Sequence, residues 1–141
     1  MFKGVNWIAV AVAFVVVYGV GFLWYGVLFT RAWTAALGRE PDMSNPGLSM
    51  TLGALNTLLT VIGIAWLLAR LGARTAMSGL AASLAAFVFF VLTASAMDYI
   101  YQGDSEQLFA IDIGYQLATF VLAGLVLGAM QRRVPAAAAT A

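Results

Sequence analysis

Long apolar runs and short polar breaks alternate along the chain. Four stretches carry no charged residue: Gly4 to Thr30, Met43 to Ala69, Thr75 to Met97, and Ile113 to Gln131. Each supplies the ~20 apolar residues with which an α-helix crosses a ~30 Å hydrocarbon layer. Every Arg, Asp and Glu falls between or beyond these runs, and Lys3 just precedes the first. The pattern predicts an all-α membrane protein, an antiparallel four-transmembrane-helix bundle with spans over about 6–28, 49–69, 77–97 and 109–130.

The breaks are informative too. Asn6 can cap the first span, and Trp24-Tyr25 near its end suit a membrane interface. Phe29, Trp33 and Leu37 then recur at i, i+4 and i+8, an apolar stripe that Gly38 can terminate. A short interfacial helix over about 29–38 is expected there, lying on the membrane surface. Pro41 to Gly47 reads as a turn. Leu71 to Ala76 is a tight turn that makes spans two and three antiparallel neighbours. Residues 1–134 form one four-span domain, and the Ala-rich tail 135–141 is expected to be disordered. The first apolar run is about twice the length of a signal-peptide core, so span one is expected to be retained.

Composition sharpens this picture. The chain of 141 residues is 63% hydrophobic and 9% charged, against about 25% charged in soluble domains. An apolar excess of that size cannot be hidden in one small core, so the lipid bilayer is the partner that composition demands. The net charge is +1 and the bases are scattered at span ends, so no nucleic acid partner is indicated. Cysteine and histidine are absent. That excludes disulfide and thiolate chemistry, histidine-ligated haem and the common zinc sites. No cofactor and no metal site is expected, and no enzymatic activity.

Basic residues also orient the chain. Lys3, Arg70, Arg74, Arg132 and Arg133 fall on one side of the spans, and Arg31 and Arg39 on the other. The positive-inside rule then places both termini in the cytoplasm. The segment from Asp98 to Asp112 carries acids and no base, which suits the outside.

Polar groups at membrane depth are costly and mark candidate sites. The fourth span carries Asp112, Tyr115, Gln116 and Thr119 at i, i+3, i+4 and i+7, one helical face. Asn56 and Thr60 share a face of span two, Ser95 and Asp98 a face of span three, and Tyr18, Gly21 and Tyr25 a face of span one. With the orientation above, all lie in the outer half or near the middle. The candidate binding residues are Asp112, Gln116, Tyr115, Thr119, Asn56, Thr60, Asp98 and Tyr25, lining an outward-facing polar pocket. A purely structural account covers the same residues. Asp112 favours the positive end of a helix, Asp98 can pair with Arg31 or Arg39, Asn and Thr bond across helices, and the tyrosines anchor at the interface. Small residues at Gly79-xxx-Ser83 and Gly124-xxx-Gly128 allow close helix packing. They serve either within the chain or in a homo-oligomer.

Asn6-Trp7, Gly21-Phe-Leu-Trp-Tyr-Gly-Val-Leu-Phe29, Ala32-Trp33 and Leu37-Gly38, with Ile111-Asp-Ile-Gly-Tyr115, carry a resemblance. Over almost the whole chain the sequence resembles a family of small bacterial membrane proteins grouped as a domain of unknown function. The resemblance implies four spans and a place in the bacterial cytoplasmic (inner) membrane, and it brings no activity. It makes Asn6, Trp24, Tyr25, Trp33, Asp112 and Tyr115 natural positions to test.

Two functions compete. One is a transporter or channel subunit for a small cation, an amine or a proton, with Asp112 as its charged site and assembly into an oligomer to enclose a path. The other is a non-catalytic assembly or envelope partner that binds through helix 29–38 and the small-residue faces. An aspartyl pair of Asp98 and Asp112 would need the two carboxyls close enough to share a proton, and neither acid sits in a Gly-x-Gly-Asp setting.

Overall fold

The computed structural model describes residues 2–39, 41 and 44–130, and these form five helices. Helix α1 runs over Trp7–Leu28, α3 over Pro46–Leu71, α4 over Ala76–Gln102 and α5 over Glu106–Met130; all four are long and apolar enough to cross a membrane. Helix α2 is short, Thr30–Leu37. Two stretches widen into π-helix: Trp24–Leu28 at the end of α1 and Phe87–Leu92 within α4. The protein is a four-span membrane bundle. The tail 135–141, like Arg132 and Arg133, lies outside the described residues.

The helices begin and end on capping groups, so three of them outrun their apolar stretches. The Asn6 carboxamide oxygen accepts from the backbone of Ile8 and Ala9 at 3.1 and 3.3 Å. Asn45 caps α3 through Leu48 N at 3.1 Å, with Pro46 in the first turn where its missing N–H costs nothing. Thr75 and Ser78 form a reciprocal capping box for α4. Ser105 accepts from Leu108 N at 3.2 Å to start α5. Helices α2, α3 and α4 each stop at a left-handed glycine: Gly38, Gly72 and Gly103.

Helix α5 is the hub, packing along α4 and also against α1 and α3. The expected α3–α4 neighbourhood exists, but α4 lies chiefly along α5. The reason is the small-residue face. A Cβ on Gly79 would collide with the Gly124 carbonyl and fall 2.8 Å from Gly128 Cα. A Cβ on Gly124 would come within 2.8 Å of the Gly79 carbonyl and collide with Ser83 Oγ. Ser83 is fully buried and donates to the Gly79 carbonyl at 2.8 Å. The two helices touch backbone to backbone, which substitutes for the hydrophobic drive that lipid removes. The Gly124/Gly128 face is thus used within the chain.

The tightest core lies at one end of the bundle. It collects Ala9, Val10, Ala13 and Val17 of α1, Val61, Ile64, Ala65 and Leu68 of α3, Phe87 of α4, and Phe120, Ala123 and Leu127 of α5. These are the first half of α1 and α4 and the second half of α3 and α5, so they meet at the end holding the 72–75 turn. Asn6 ties that end together by donating to the Met130 carbonyl at 2.8 Å. On the outside, Leu59 is 68% and Phe90 73% exposed, as lipid-facing side chains should be.

Candidate functional site

The opposite end is built differently. There the last turn of α1 widens: Phe29 N donates to the Trp24 carbonyl at 2.8 Å, five residues back. The chain bends at Phe29 (φ −116°, ψ 10°) before α2 starts. The Tyr25 carbonyl is taken by the Thr30 hydroxyl at 2.7 Å. This local change of pitch turns two adjacent aromatic residues toward α5. Trp24 Nε1 donates to the Ile111 carbonyl at 3.1 Å, and Tyr25 OH donates to Asp112 Oδ1 at 2.9 Å. π-Turns of this kind are frequent at functional sites.

Helix α2 closes over the same carboxylate. Its Trp33 indole lies beside Asp112, and the Trp33 ring meets Tyr25 edge-on at 5.4 Å. The end of α2 is held to the start of α5 where Ser105 Oγ donates to the Ala36 carbonyl at 3.3 Å. Tyr115, one turn along α5 from Asp112, packs edge-on against Tyr25 at 5.2 Å. Two glycines make room for these rings. A Cβ on Gly21 would sit 2.7 Å from the Tyr115 hydroxyl, and one on Gly114 would sit 3.0 Å from the Trp24 ring. Half-buried Asp112 thus ties α1 to α5, with α2 packed over them.

Beside this cluster a groove of about 770 Å³ opens between α1, α2 and α3. Tyr18, Phe22, Tyr25, Trp33 and Tyr115 give it five aromatic side chains; Leu37 and Met50 add apolar surface, and Ser49, Asn56 and Thr57 add neutral polar groups. Arg39 also lines it. The surface is mostly apolar, unlike the polar pocket expected from the sequence, because the tyrosines present ring area while Tyr25 turns its hydroxyl toward α5. Tyr18 OH reaches across to the Met50 carbonyl at 3.3 Å.

The eight candidate residues separate in space. Tyr25, Asp112 and Tyr115 come together in the aromatic cluster, and Tyr25, Tyr115 and Asn56 line the groove. Asp112 stands behind the groove wall with its carboxylate engaged. The Thr60 hydroxyl is spent on the Asn56 carbonyl of its own helix at 3.0 Å. Thr119 is buried in α5, and its hydroxyl has no hydrogen-bond partner among the described residues. Gln116 is half-buried on α5 and outside the groove lining. Asp98 is exposed on α4 and accepts from Gln102 Nε2 at 3.2 Å. Among the described residues no hydrogen bond joins it to Asp112, and no group of three potential metal ligands occurs.

Three residues of this region carry roles the sequence reading did not assign. The sequence singles out Trp33 through its apolar stripe and the family resemblance but not as a groove wall, and Arg39 only as a base that bears on topology and can pair with Asp98. Phe22 is one of many apolar residues in span one. The Tyr18, Gly21, Tyr25 spacing is an advance signal, since it puts the groove-facing side of α1 on a single stripe.

A family model described as a protein of unknown function, DUF1761, matches residues 8–128. No curated protein and no solved structure matches the chain.

Proposed function

The chain belongs to the DUF1761 family, whose description carries no activity, and from its geometry we propose a membrane-embedded binding protein. It holds a small amphiphilic molecule in the groove between α1, α2 and α3. The observation that carries this reading is the groove itself, about 770 Å³ with five aromatic residues in its walls. That volume is within the ~300–1,000 Å³ typical of small-molecule sites, which are also mostly apolar with a few placed polar groups. The basic-residue asymmetry supports a setting in the bacterial cytoplasmic membrane with both termini inside. The groove then faces the outer leaflet.

Transport of a small cation, an amine or a proton through Asp112 has less support. The carboxylate is held by Tyr25, and the far half of the bundle is filled by residues such as Val17, Val61 and Leu127, each at most 1% exposed. A carrier would have to open that half. The assembly-partner reading keeps α2 as a surface, but the small-residue faces it also needs are consumed between α4 and α5.

Photolabelling tests the proposal. A diazirine-bearing amphiphile, reacted with the protein in nanodiscs and mapped by mass spectrometry, should label Tyr18, Phe22, Trp33 and Met50 saturably. Label spread evenly over lipid-facing Val15, Leu59 and Phe90, and rising linearly with probe, would sink it.

A further inference from the structure

Resting on the groove being a ligand site, we propose that its ligand is a single-chain anionic amphiphile, a free long-chain fatty acid, whose head is read by Arg39. Charge decides the class. Among the described lining residues Arg39 is the one charged side chain, and it is exposed in the short segment that follows α2. Among the described residues no acid shares the lining: Asp112, behind the groove wall, accepts from Tyr25 OH at 2.9 Å. Its carboxylate is thus turned to the contact between α1 and α5, and the charge that the described lining residues present to the groove is the positive one of Arg39.

The remaining surface suits a chain. Phe22, Leu37 and Met50 supply apolar contact, and the ring faces of Tyr18 and Trp33 add area at low entropic cost. Volume favours one chain over two, since about 770 Å³ is the space of a drug-sized molecule. A guanidinium recognises a carboxylate through two parallel N–H···O bonds. At a membrane surface that pairing is worth more than in bulk water, where exposed ion pairs contribute little. The ligand would reach the groove sideways from the leaflet on the α2 side, with its carboxylate at the level of Arg39.

Three brominated amphiphiles of one chain length test this: a fatty acid, the matching alcohol and the matching trimethylammonium. Quenching of tryptophan fluorescence is followed in nanodiscs, and the part lost in Trp33→Phe reports the groove. The acid should bind saturably, about threefold to tenfold tighter than the alcohol, a margin set by one partly screened ion pair. Arg39→Gln should erase the margin and leave the alcohol unchanged, while Arg39→Lys should keep most of it. Equal saturable binding of all three, or tightest binding of the trimethylammonium, would overturn the anionic assignment and leave the groove as a ligand site. A brominated two-chain anionic lipid that competes as well as the acid would overturn the single-chain part. No saturable, Trp33-dependent quenching by any probe would defeat the groove reading as well.

Discussion

The two ends of this bundle are held by different physics. At the end with the 72–75 turn, backbones touch: Gly79 and Ser83 of α4 lie against Gly124 and Gly128 of α5, and small aliphatic side chains fill the rest. At the α2 end, large rings are held apart by glycine seats and tied by hydrogen bonds from Tyr25, Trp24 and Ser105. Close packing leaves little free volume and there needs few polar groups beyond Ser83 and Asn6. Rings on a wider frame leave a groove and require polar partners, because an unpaired polar group in lipid costs several kcal/mol. One end is a clamp, and the other is a site.

The sharpest way to break the clamp is Gly79→Val. Its side chain would run into the Gly124 carbonyl and Gly128 Cα, which are backbone and cannot swing away. A loss of about 3 kcal/mol or more is expected, above the ~1–3 of ordinary overpacking. Unfolding in detergent would show it as a much lower melting temperature or loss of folded yield. Gly63→Ala is the counterpart, since nothing lies within 4 Å of a Cβ there. It should stabilise by up to about 1 kcal/mol through helix propensity. If the two glycines respond alike, close approach is not what holds α4 to α5.

At the other end Asp112→Ala should cost about 1–3 kcal/mol, because it leaves the Tyr25 hydroxyl without its acceptor. Asp112→Asn keeps one acceptor oxygen and should lose less. The damage should be local. Hydrogen exchange is expected to rise in α2 and the last turn of α1, and to stay unchanged around Val61 and Leu127. Equal loss of protection at both ends would mean the bundle melts as one unit and the contrast fails.

Smaller effects refine the picture. Asn6→Ala removes a helix cap and the tie to Met130, worth about 1 kcal/mol, and should loosen only the clamp end. Asp98→Asn lies in neither region. Its exposed carboxylate meets only Gln102 in the hydrogen bonds of the described residues, so a change within about 0.5 kcal/mol is expected. Thermal melts of the pair would separate them.

Much of this was readable along the chain, because burial in lipid imposes a one-dimensional rule. Runs without charge mark spans, and Asn6 and Gly38 mark helix ends through local capping that tertiary contacts do not alter. The spacing of Asp112 and Tyr115 placed them on one face of α5, and Tyr25 was flagged by depth. Other residues were illegible for identifiable reasons. Trp33 reads as part of an apolar stripe until the bend at Phe29 lays its ring against Tyr25 beside the groove. Thr60 reads as a pore-facing hydroxyl, yet it bonds the carbonyl four residues back, an option open to Thr in a helix.

The sequence by itself determined that four long apolar helices form a membrane bundle, roughly where each lies, and which faces carry polar groups, since hydropathy and capping act within a few residues. Only the tertiary structure decided which helices meet. Small-residue stripes occur on both α4 and α5, and their pairing depends on matching backbone shapes across about 45 residues of chain. The π-turn at Trp24–Leu28 then aimed Tyr25 at Asp112 and left the groove beside them, because a one-residue change of helical pitch redirects every side chain beyond it.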